Sequence, residues 1–123
     1  VDKYIKIGFE VIVLGDMNDY DDEVLDINSN KPTSRVLSIL KDEGKLINIA
    51  MKIGQNDRYS DWWDSDNNCN TNSVKDLSMI DHILVTPKLI KYIQNVFIYH
   101  GYNISCGKWD SDRWPVVVDI VKN

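Results

Sequence analysis

Four short apolar runs predict the β-strands of this chain, at positions 11–14, 79–86, 96–99 and 116–121. Runs of this length that are rich in β-branched and large apolar residues are typical of buried strands. The first run ends at Gly15, which permits a sharp exit from the strand. We therefore expect strand 11–14 to be buried on both faces and to end in a turn that presents polar side chains.

Helical spacing appears between the first two runs, with apolar residues at positions 36, 37, 39 and 40. This spacing predicts an amphipathic helix from Thr33 or Ser34 to about residue 42, capped by the preceding hydroxyl and ended by Gly44. We expect the helix to pack on a sheet. Segment 46–53 fits a short helix and a strand equally well, and Pro87 opens a short helix through residue 92.

Two polar stretches contain clustered acidic residues. The first comprises Asp19, Asp21, Asp22, Glu23 and Asp26, and it predicts a solvated loop, with cation binding as the lesser alternative. In the second, Asp64, Asp66 and Asn68 alternate as at the start of a calcium loop. Cys69 replaces the turn glycine and Lys75 replaces the bidentate Glu, so a polar loop over 67–78 is the simpler interpretation.

Composition narrows the class of protein. The 123 residues carry a formal net charge of −5 and contain no apolar run near the roughly 18 residues that cross a bilayer. The length suits one modest domain or part of a larger one. An acidic balance argues against binding DNA by bulk electrostatics, but it allows carboxylates to gather around a cation. Cys69 and Cys106 are too few for a disulfide framework, lack zinc-site spacing and indicate no compartment.

Several polar residues lie where strands end or are set into them. Asp16 and Asn18 are two apart, so in an extended segment they point the same way, although strand-Gly-Asp is also an ordinary turn. Asp81 lies inside a buried strand and must pair with a cation, a histidine or several donors. His82 faces the opposite side of that strand, so we interpret it as a structural histidine.

An unusual stretch at 58–63 combines one cation with three large aromatic side chains, those of Arg58, Tyr59, Trp62 and Trp63. Stacked rings beside an arginine suit a nucleobase or a sugar-phosphate, but aromatic residues in such a strand also suit a core. We predict these four residues, together with Trp114, as substrate-binding.

Three motifs together resemble the endonuclease/exonuclease/phosphatase superfamily: Gly-Asp-Met-Asn at 15–18, Ser-Met-Ile-Asp-His-Ile-Leu at 78–84 and Ser-Asp-Arg-Trp-Pro-Val at 111–116. That group includes pancreatic-type deoxyribonucleases, abasic-site endonucleases, neutral sphingomyelinases and inositol polyphosphate 5-phosphatases. The resemblance implies an α+β fold, a two-sheet β-sandwich flanked by helices in four deoxyribonuclease I-like layers. It also implies hydrolysis of phosphate esters with a divalent cation, usually Mg²⁺, with Mn²⁺ or Ca²⁺ as alternatives.

The same resemblance implies catalytic roles for five residues. Asp16 positions or deprotonates the attacking water, and Asn18 hydrogen-bonds the phosphate or the catalytic groups. Asp81 orients a histidine, and Asp112 binds the metal or belongs to its network. Arg113 stands where the family carries histidine, and an arginine cannot give up its proton near neutral pH. It retains the ability to hold a phosphate through two parallel hydrogen bonds.

The resemblance covers residues 1–123 as the C-terminal part of one domain, because such domains run to about twice this length. We therefore expect a partner segment, the N-terminal half, which in the family carries an Asn and a metal-binding Glu. The leading hypothesis is a metal-dependent phosphodiesterase acting on nucleic acid, a nuclease. One alternative is a catalytically impaired domain that binds phosphorylated ligands or a protein, and another replaces the substrate with a phospholipid or phosphoinositide.

Overall fold

The computed structural model describes residues 1–70, 72–101, 104 and 111–122, which form a mixed α+β structure. The α-helices are α1 (Asp2–Lys6) and α2 (Val36–Lys41). The strands are β1 (Ile12–Asp16), β2 (Ile47–Asn48), β3 (Asp61–Trp62), β4 (Leu77–Ser78), β5 (Asp81–Val85), β6 (Ile93–Ile98) and β7 (Val116–Ile120). Short 3₁₀-helices cover Asp42–Gly44, Ile49–Lys52, Gln55–Asp57, Val74–Asp76 and Pro87–Tyr92.

The largest sheet has the order β1-β5-β2 and is antiparallel throughout. Its central strand, β5, is an apolar run flanked on both sides by other strands, and Leu84 and Val85 are fully buried. The register of β1 on β5 places Asp16 directly opposite Asp81. Side chains directly opposite in an antiparallel pair share one face of the sheet, so these two carboxylates face the same side.

Two smaller sheets complete the described part of the chain. Strands β3 and β4 form one antiparallel pair, and β6 and β7 form the other. On the other edge of β3, Asp61 bridges Arg113, and the amide of Trp62 donates to the carbonyl of Asp112 at 3.2 Å. The polar turn before β7 is thereby held against β3.

The main core lies between these elements and is centred on large side chains, including Trp62, Met79, Ile104 and Trp114. Each of the four is less than 9% exposed. A second cluster packs α2 on β5 through Leu37 and Leu84, as the amphipathic pattern predicts. Among the described residues, no helix has both the length and the apolar character needed to cross a bilayer.

Most predicted elements are present with shifted ends. The strands expected at 79–86, 96–99 and 116–121 correspond to β5, β6 and β7. The ambiguous segment 46–53 is divided between β2 and a 3₁₀-helix. Helix α2 begins later than predicted, at Val36, whose amide donates a hydrogen bond to Ser34 Oγ at 3.3 Å.

The expectation that the first strand is buried on both faces is wrong. In β1, Ile12 is 41% exposed and Leu14 is 65% exposed. Strand β1 lies at the edge of its sheet, and one of its faces borders an open groove beside β7. An apolar run therefore indicated the strand correctly but not its burial.

The expectation of a solvated acidic loop is wrong for three of its five acidic residues: Asp19, Asp21 and Asp26 are each no more than 3% exposed. The other two, Asp22 and Glu23, are exposed. The carboxylate of Asp19 accepts hydrogen bonds from the backbone amides and hydroxyls of Thr33 and Ser34. Burial opposes ionisation of Asp19, but the hydrogen bonds from Ser34 and Thr33 outweigh it and hold the pKa well below its usual range. The Asp19 carboxylate therefore links the start of this loop to residues 33 and 34.

Cys69 is disulfide-bonded. A single disulfide is not a disulfide framework, so the expectation drawn from the number of cysteines is not contradicted. The other cysteine of the sequence, Cys106, lies outside the described residues.

Candidate functional site

Four carboxylates surround the guanidinium of Arg113. Its Nη2 lies 2.9 Å from Asp16 Oδ2, and its Nε lies 3.2 Å from Asp81 Oδ2. Its Nη1 lies 2.5 Å from Asp61 Oδ1 and 3.2 Å from Asp112 Oδ1. Arg113 therefore joins β1, β3, β5 and the turn before β7 through one side chain.

Backbone pairing explains why these groups meet. Asp16 and Asp81 are cross-strand neighbours, and like charges directly opposite each other are destabilising. The bridge between Asp61 and Arg113 brings a third carboxylate and the guanidinium to the same edge. Arg113 supplies the positive charge that offsets repulsion among these carboxylates, since a guanidinium offers donors in several directions.

Burial divides the four carboxylates into two classes. The side chains of Asp61 and Asp81 are only 11% and 20% exposed, whereas those of Asp16 and Asp112 are 48% and 37% exposed. Desolvation raises the pKa of Asp61 and that of Asp81, although Arg113 opposes the shift in both. Burial therefore makes ionisation of Asp61 and Asp81 less favourable, whereas Asp16 and Asp112 lie closer to solvent.

Hydroxyl groups fix the orientation of the buried carboxylates. Ser60 is fully buried, and its Oγ donates to Asp81 Oδ2 at 2.7 Å. The Oγ of Ser78 donates to Asp61 Oδ2 at 3.3 Å. Asp16 is held differently, because its Oδ1 accepts the backbone amide of Asn18 at 2.8 Å.

The structure brings together four of the five predicted catalytic residues, Asp16, Asp81, Asp112 and Arg113. The fifth, Asn18, lines the polar cleft that also borders Asp112 and Arg113. Sequence reasoning missed Ser60 and Asp61. The signal was present, because a carboxylate among large aromatic residues needs a partner for the same reason as Asp81.

The predicted substrate-binding residues lie in different environments. Trp62 and Trp114 are buried in the core, and Tyr59 stacks on His100 at a ring-centroid distance of 3.8 Å. Arg58 donates to the backbone carbonyls of neighbouring loops, including those at positions 25, 50 and 53. Trp63 alone of the five is largely exposed, at 71%, and it lines the polar cleft.

His82 lies on the opposite face of β5, where strand alternation places it, and is 2% exposed. Its Nε2 lies 2.8 Å from the carbonyl oxygen of Asp19, and its Nδ1 lies 3.0 Å from Asn48 Nδ2. Because a carbonyl only accepts, Nε2 carries the proton and Nδ1 accepts from Asn48. Desolvation lowers the pKa of His82, so the ring is neutral and structural at neutral pH.

Two clefts flank Arg113. One, of about 620 Å³, is mainly apolar and runs between β1 and β7, with Leu14, Ile83 and Val117 among its lining residues. The other, of about 470 Å³, is more polar and contains Asn18, Trp63 and Asp112. The carboxylate cluster thus lies where an apolar groove and a polar cleft meet.

The carboxylates around Arg113 are spread around the guanidinium, and among the described residues no three of them have oxygens within 4.8 Å of one another. Four carboxylates against one guanidinium leave an excess of negative charge, and carboxylate oxygens are the ligands that Mg²⁺ and Ca²⁺ prefer. Asp16 and Asp112 are the more exposed members, and they lie on different sides of Arg113: Asp16 lines the apolar groove and Asp112 lines the polar cleft.

The pH dependence of stability should reveal the raised pKa of Asp61. A folded-state pKa above the unfolded value of about 3.9 means that stability falls as pH rises from that value through the folded pKa. Asparagine cannot ionise, so Asp61→Asn should escape this fall. Urea unfolding should be measured for both proteins between pH 4 and pH 7. As pH rises, the free energy of unfolding of Asp61→Asn should increase relative to that of the wild-type chain. A constant difference would contradict the assignment.

Comparison with known proteins identifies no relative: no family model, no curated protein and no solved structure matches this chain.

Proposed function

We propose that this chain is the C-terminal part of a divalent-metal-dependent phosphodiester hydrolase whose substrate is a nucleic acid. The observation that carries the proposal is the convergence of Asp16, Asp61, Asp81 and Asp112 on Arg113 beside a polar cleft. The three motifs that resemble the endonuclease/exonuclease/phosphatase superfamily contribute all of these residues except Asp61.

The contacts of Arg113 favour a metal-dependent site over a metal-free phosphate-binding site. Its Nη1, Nη2 and Nε already lie within 3.2 Å of carboxylate oxygens. A phosphate approaching this guanidinium would displace those contacts and would meet four negatively charged groups. Like charges at such distances repel strongly in a partly buried site. A phosphodiester therefore needs an additional cation to bind here.

Mg²⁺ held by Asp16 and Asp112 would supply charge neutralisation and polarisation of a phosphoryl oxygen. The other residues of the site would transfer protons or orient neighbouring groups. Asp81, with its raised pKa and its hydrogen bond from Ser60, is suited to take a proton from the attacking water. The Asn18 amide is suited to donate to the substrate, and Arg113 remains charged and orients the carboxylates.

The polar cleft favours nucleic acid over a lipid. Trp63 is exposed at its rim, and an exposed indole offers a stacking surface for a base. Asn30 and Lys75 also line this cleft and offer donors to a sugar-phosphate backbone. Phospholipid and phosphoinositide substrates are the alternatives that the same hydrolytic chemistry allows.

A companion segment belongs to the proposal. Ile12 and Leu14 on β1 are exposed, and Leu14 lines a groove that also contains residues of the carboxylate cluster. Unpaired strand edges and exposed apolar sheet faces are normally covered by another part of the protein. We infer that an N-terminal half packs here and completes a two-sheet sandwich flanked by helices, with residues 1–123 as part of one domain.

Cleavage assays test the proposal on the chain combined with its N-terminal half. Plasmid DNA and a chromogenic phosphodiester should be hydrolysed with Mg²⁺ and not with chelator. Asp112→Asn should lower the rate at least about 10-fold because it removes an anionic ligand. Asp22→Asn, an exposed substitution outside the cluster, should leave it unchanged. Equal rates with and without chelator would contradict the proposal.

The second candidate function is a domain that binds phosphorylated ligands or a protein without turnover. The observation that favours it is Arg113 itself, which replaces a titratable group by a permanent cation. Binding of an oligonucleotide with Mg²⁺ but no cleavage, in the presence of the N-terminal half, would support this function over hydrolysis.

A further inference from the structure

Trp63 presents a large aromatic surface to the polar cleft. It lines this cleft and is 71% exposed, whereas Tyr20, which lines the same cleft, is half-buried. The apolar residues Leu77 and Ile80 at the cleft are each only 8% exposed. Among the described residues, the indole of Trp63 is therefore the largest apolar surface that a ligand in the cleft can contact.

The backbone holds this indole in place. Trp63 directly follows β3, and its amide donates to the carbonyl of Asp76 at 2.9 Å, which continues the pairing of β3 with β4 by one residue. The preceding residue, Trp62, is buried in the core, and successive side chains of an extended segment point to opposite sides. A rigid aromatic side chain loses little conformational entropy when a ligand stacks on it. Trp63 is thus a preorganised stacking surface.

Ion pairs with phosphate groups are a weak source of affinity in this cleft. The cationic side chains that line it, among the described residues, are those of Lys75 and Arg113. Lys75 Nζ lies 2.6 Å from Asp66 Oδ2, and the Arg113 guanidinium contacts four carboxylates. Three aspartate residues line the cleft as well, and the whole chain carries a formal net charge of −5. A ligand must therefore gain most of its affinity here from another interaction, and stacking on Trp63 is available.

These properties favour a single strand over a duplex. A duplex carries about one negative charge per 1.7 Å of its axis, twice the density of one strand, so an acidic surface repels the duplex more strongly. The bases of a duplex are stacked on one another, whereas an unpaired base can place its face against an aromatic side chain. The cleft volume of about 470 Å³ lies within the roughly 300–1,000 Å³ of small-ligand sites, which suits individual nucleotides.

We propose that the polar cleft selects single-stranded nucleic acid by stacking one unpaired base on Trp63, a preference that rests on the proposed function and specifies its substrate. The amide of Asn18 and the hydroxyl of Tyr20 line the same cleft and can hydrogen-bond the edge of that base. Asp112 and Arg113 also line it, so a strand held by Trp63 lies beside the carboxylate cluster. Trp63 is thus a specificity-determining residue.

Fluorescence anisotropy tests the proposal on the chain combined with its N-terminal half, in the presence of Mg²⁺. The probes are a short labelled DNA strand and a hairpin duplex of the same sequence, both with phosphorothioate linkages that resist hydrolysis. The wild-type protein should bind the strand at least about 10-fold more tightly than the hairpin. Trp63→Ala should weaken binding of the strand by about 5- to 150-fold, the usual loss for one base–aromatic stack, and leave binding of the hairpin unchanged.

Two further variants and a fluorescent base separate stacking from a structural role of Trp63. Trp63→Phe keeps an aromatic face and should retain most of the affinity for the strand. Tyr4→Ala is the matched control, because Tyr4 is another exposed aromatic residue, at 54%, and does not line the cleft. A strand that carries 2-aminopurine, whose emission falls on stacking, should be quenched at one position by the wild-type protein and not by Trp63→Ala.

Equal affinity of the wild-type protein for strand and hairpin would overturn the proposal. So would wild-type affinity for the strand in Trp63→Ala, or no binding of the strand at all. Gel analysis of an unmodified strand with Mg²⁺ reports cleavage separately. Loss of strand binding in Trp63→Ala without cleavage by either protein would support the base-stacking site and contradict the proposed hydrolysis. Cleavage by both proteins with equal affinity for the strand would contradict the base-stacking site alone.

Discussion

Replacing Arg113 with histidine is expected to raise the rate of phosphodiester hydrolysis about 10²- to 10⁴-fold, the usual contribution of a general acid or base. Arginine stays protonated at all relevant pH values, whereas histidine, with an unperturbed pKa near 6.5, both donates and accepts protons near neutrality. This increase in rate is expected only if the protein carries out the proposed metal-dependent hydrolysis.

The surroundings of Arg113 favour this gain in two ways. Asp81 Oδ2 lies 3.2 Å from Arg113 Nε, so a carboxylate already stands beside position 113 to orient an imidazole. Histidine is shorter and has fewer donors, so it would release some of the carboxylates that Arg113 now contacts. Releasing Asp16 and Asp112 leaves the two exposed carboxylates available for Mg²⁺.

The measurement compares Arg113→His with the wild-type chain, each combined with the N-terminal half, on plasmid DNA and a chromogenic phosphodiester with Mg²⁺. Circular dichroism of both proteins controls for the folded fraction. An equal rate for the two proteins would mean that Arg113 does not limit turnover and that position 113 is not the histidine position of the motif.

Replacing Arg113 with methionine is expected to lower the free energy of unfolding by about 2–4 kcal/mol. This value lies between the roughly 1 kcal/mol of an exposed ion pair and the about 3–5 kcal/mol lost when a buried pair loses one partner. The intermediate value applies because Arg113 is 29% exposed while Asp61 and Asp81 are 11% and 20% exposed. Methionine retains the apolar volume but leaves these carboxylates without their cation.

Urea unfolding at pH 7 provides the measurement, and Lys45→Met provides the control. Lys45 also contacts two carboxylates, those of Asp2 and Asp42, but its side chain is 48% exposed, so its loss should leave stability almost unchanged. Adding Asp61→Asn to Arg113→Met should recover part of the loss, because the uncompensated charge is removed. A loss no greater than that of Lys45→Met would contradict a stabilising role for the cluster.

Local patterns in the sequence were sufficient to predict several features of the structure. The apolar run around Asp81 determines strand β5, and the period of two along a strand places His82 on the face opposite Asp81. The cost of burying an unpaired carboxylate required a partner for Asp81 before the partner was identified. These inferences succeed because they depend on residues only a few positions apart.

Tertiary structure alone decided which groups meet. Arg113 contacts Asp16 across 97 positions and Asp61 across 52, and no local pattern specifies such pairings. Tertiary contacts also buried Asp19 and Asp21, which their acidic neighbourhood had suggested were solvated. The composition of a segment reports its average preference for water, whereas the burial and charge state of one carboxylate depend on the donors and cations that the fold brings to it.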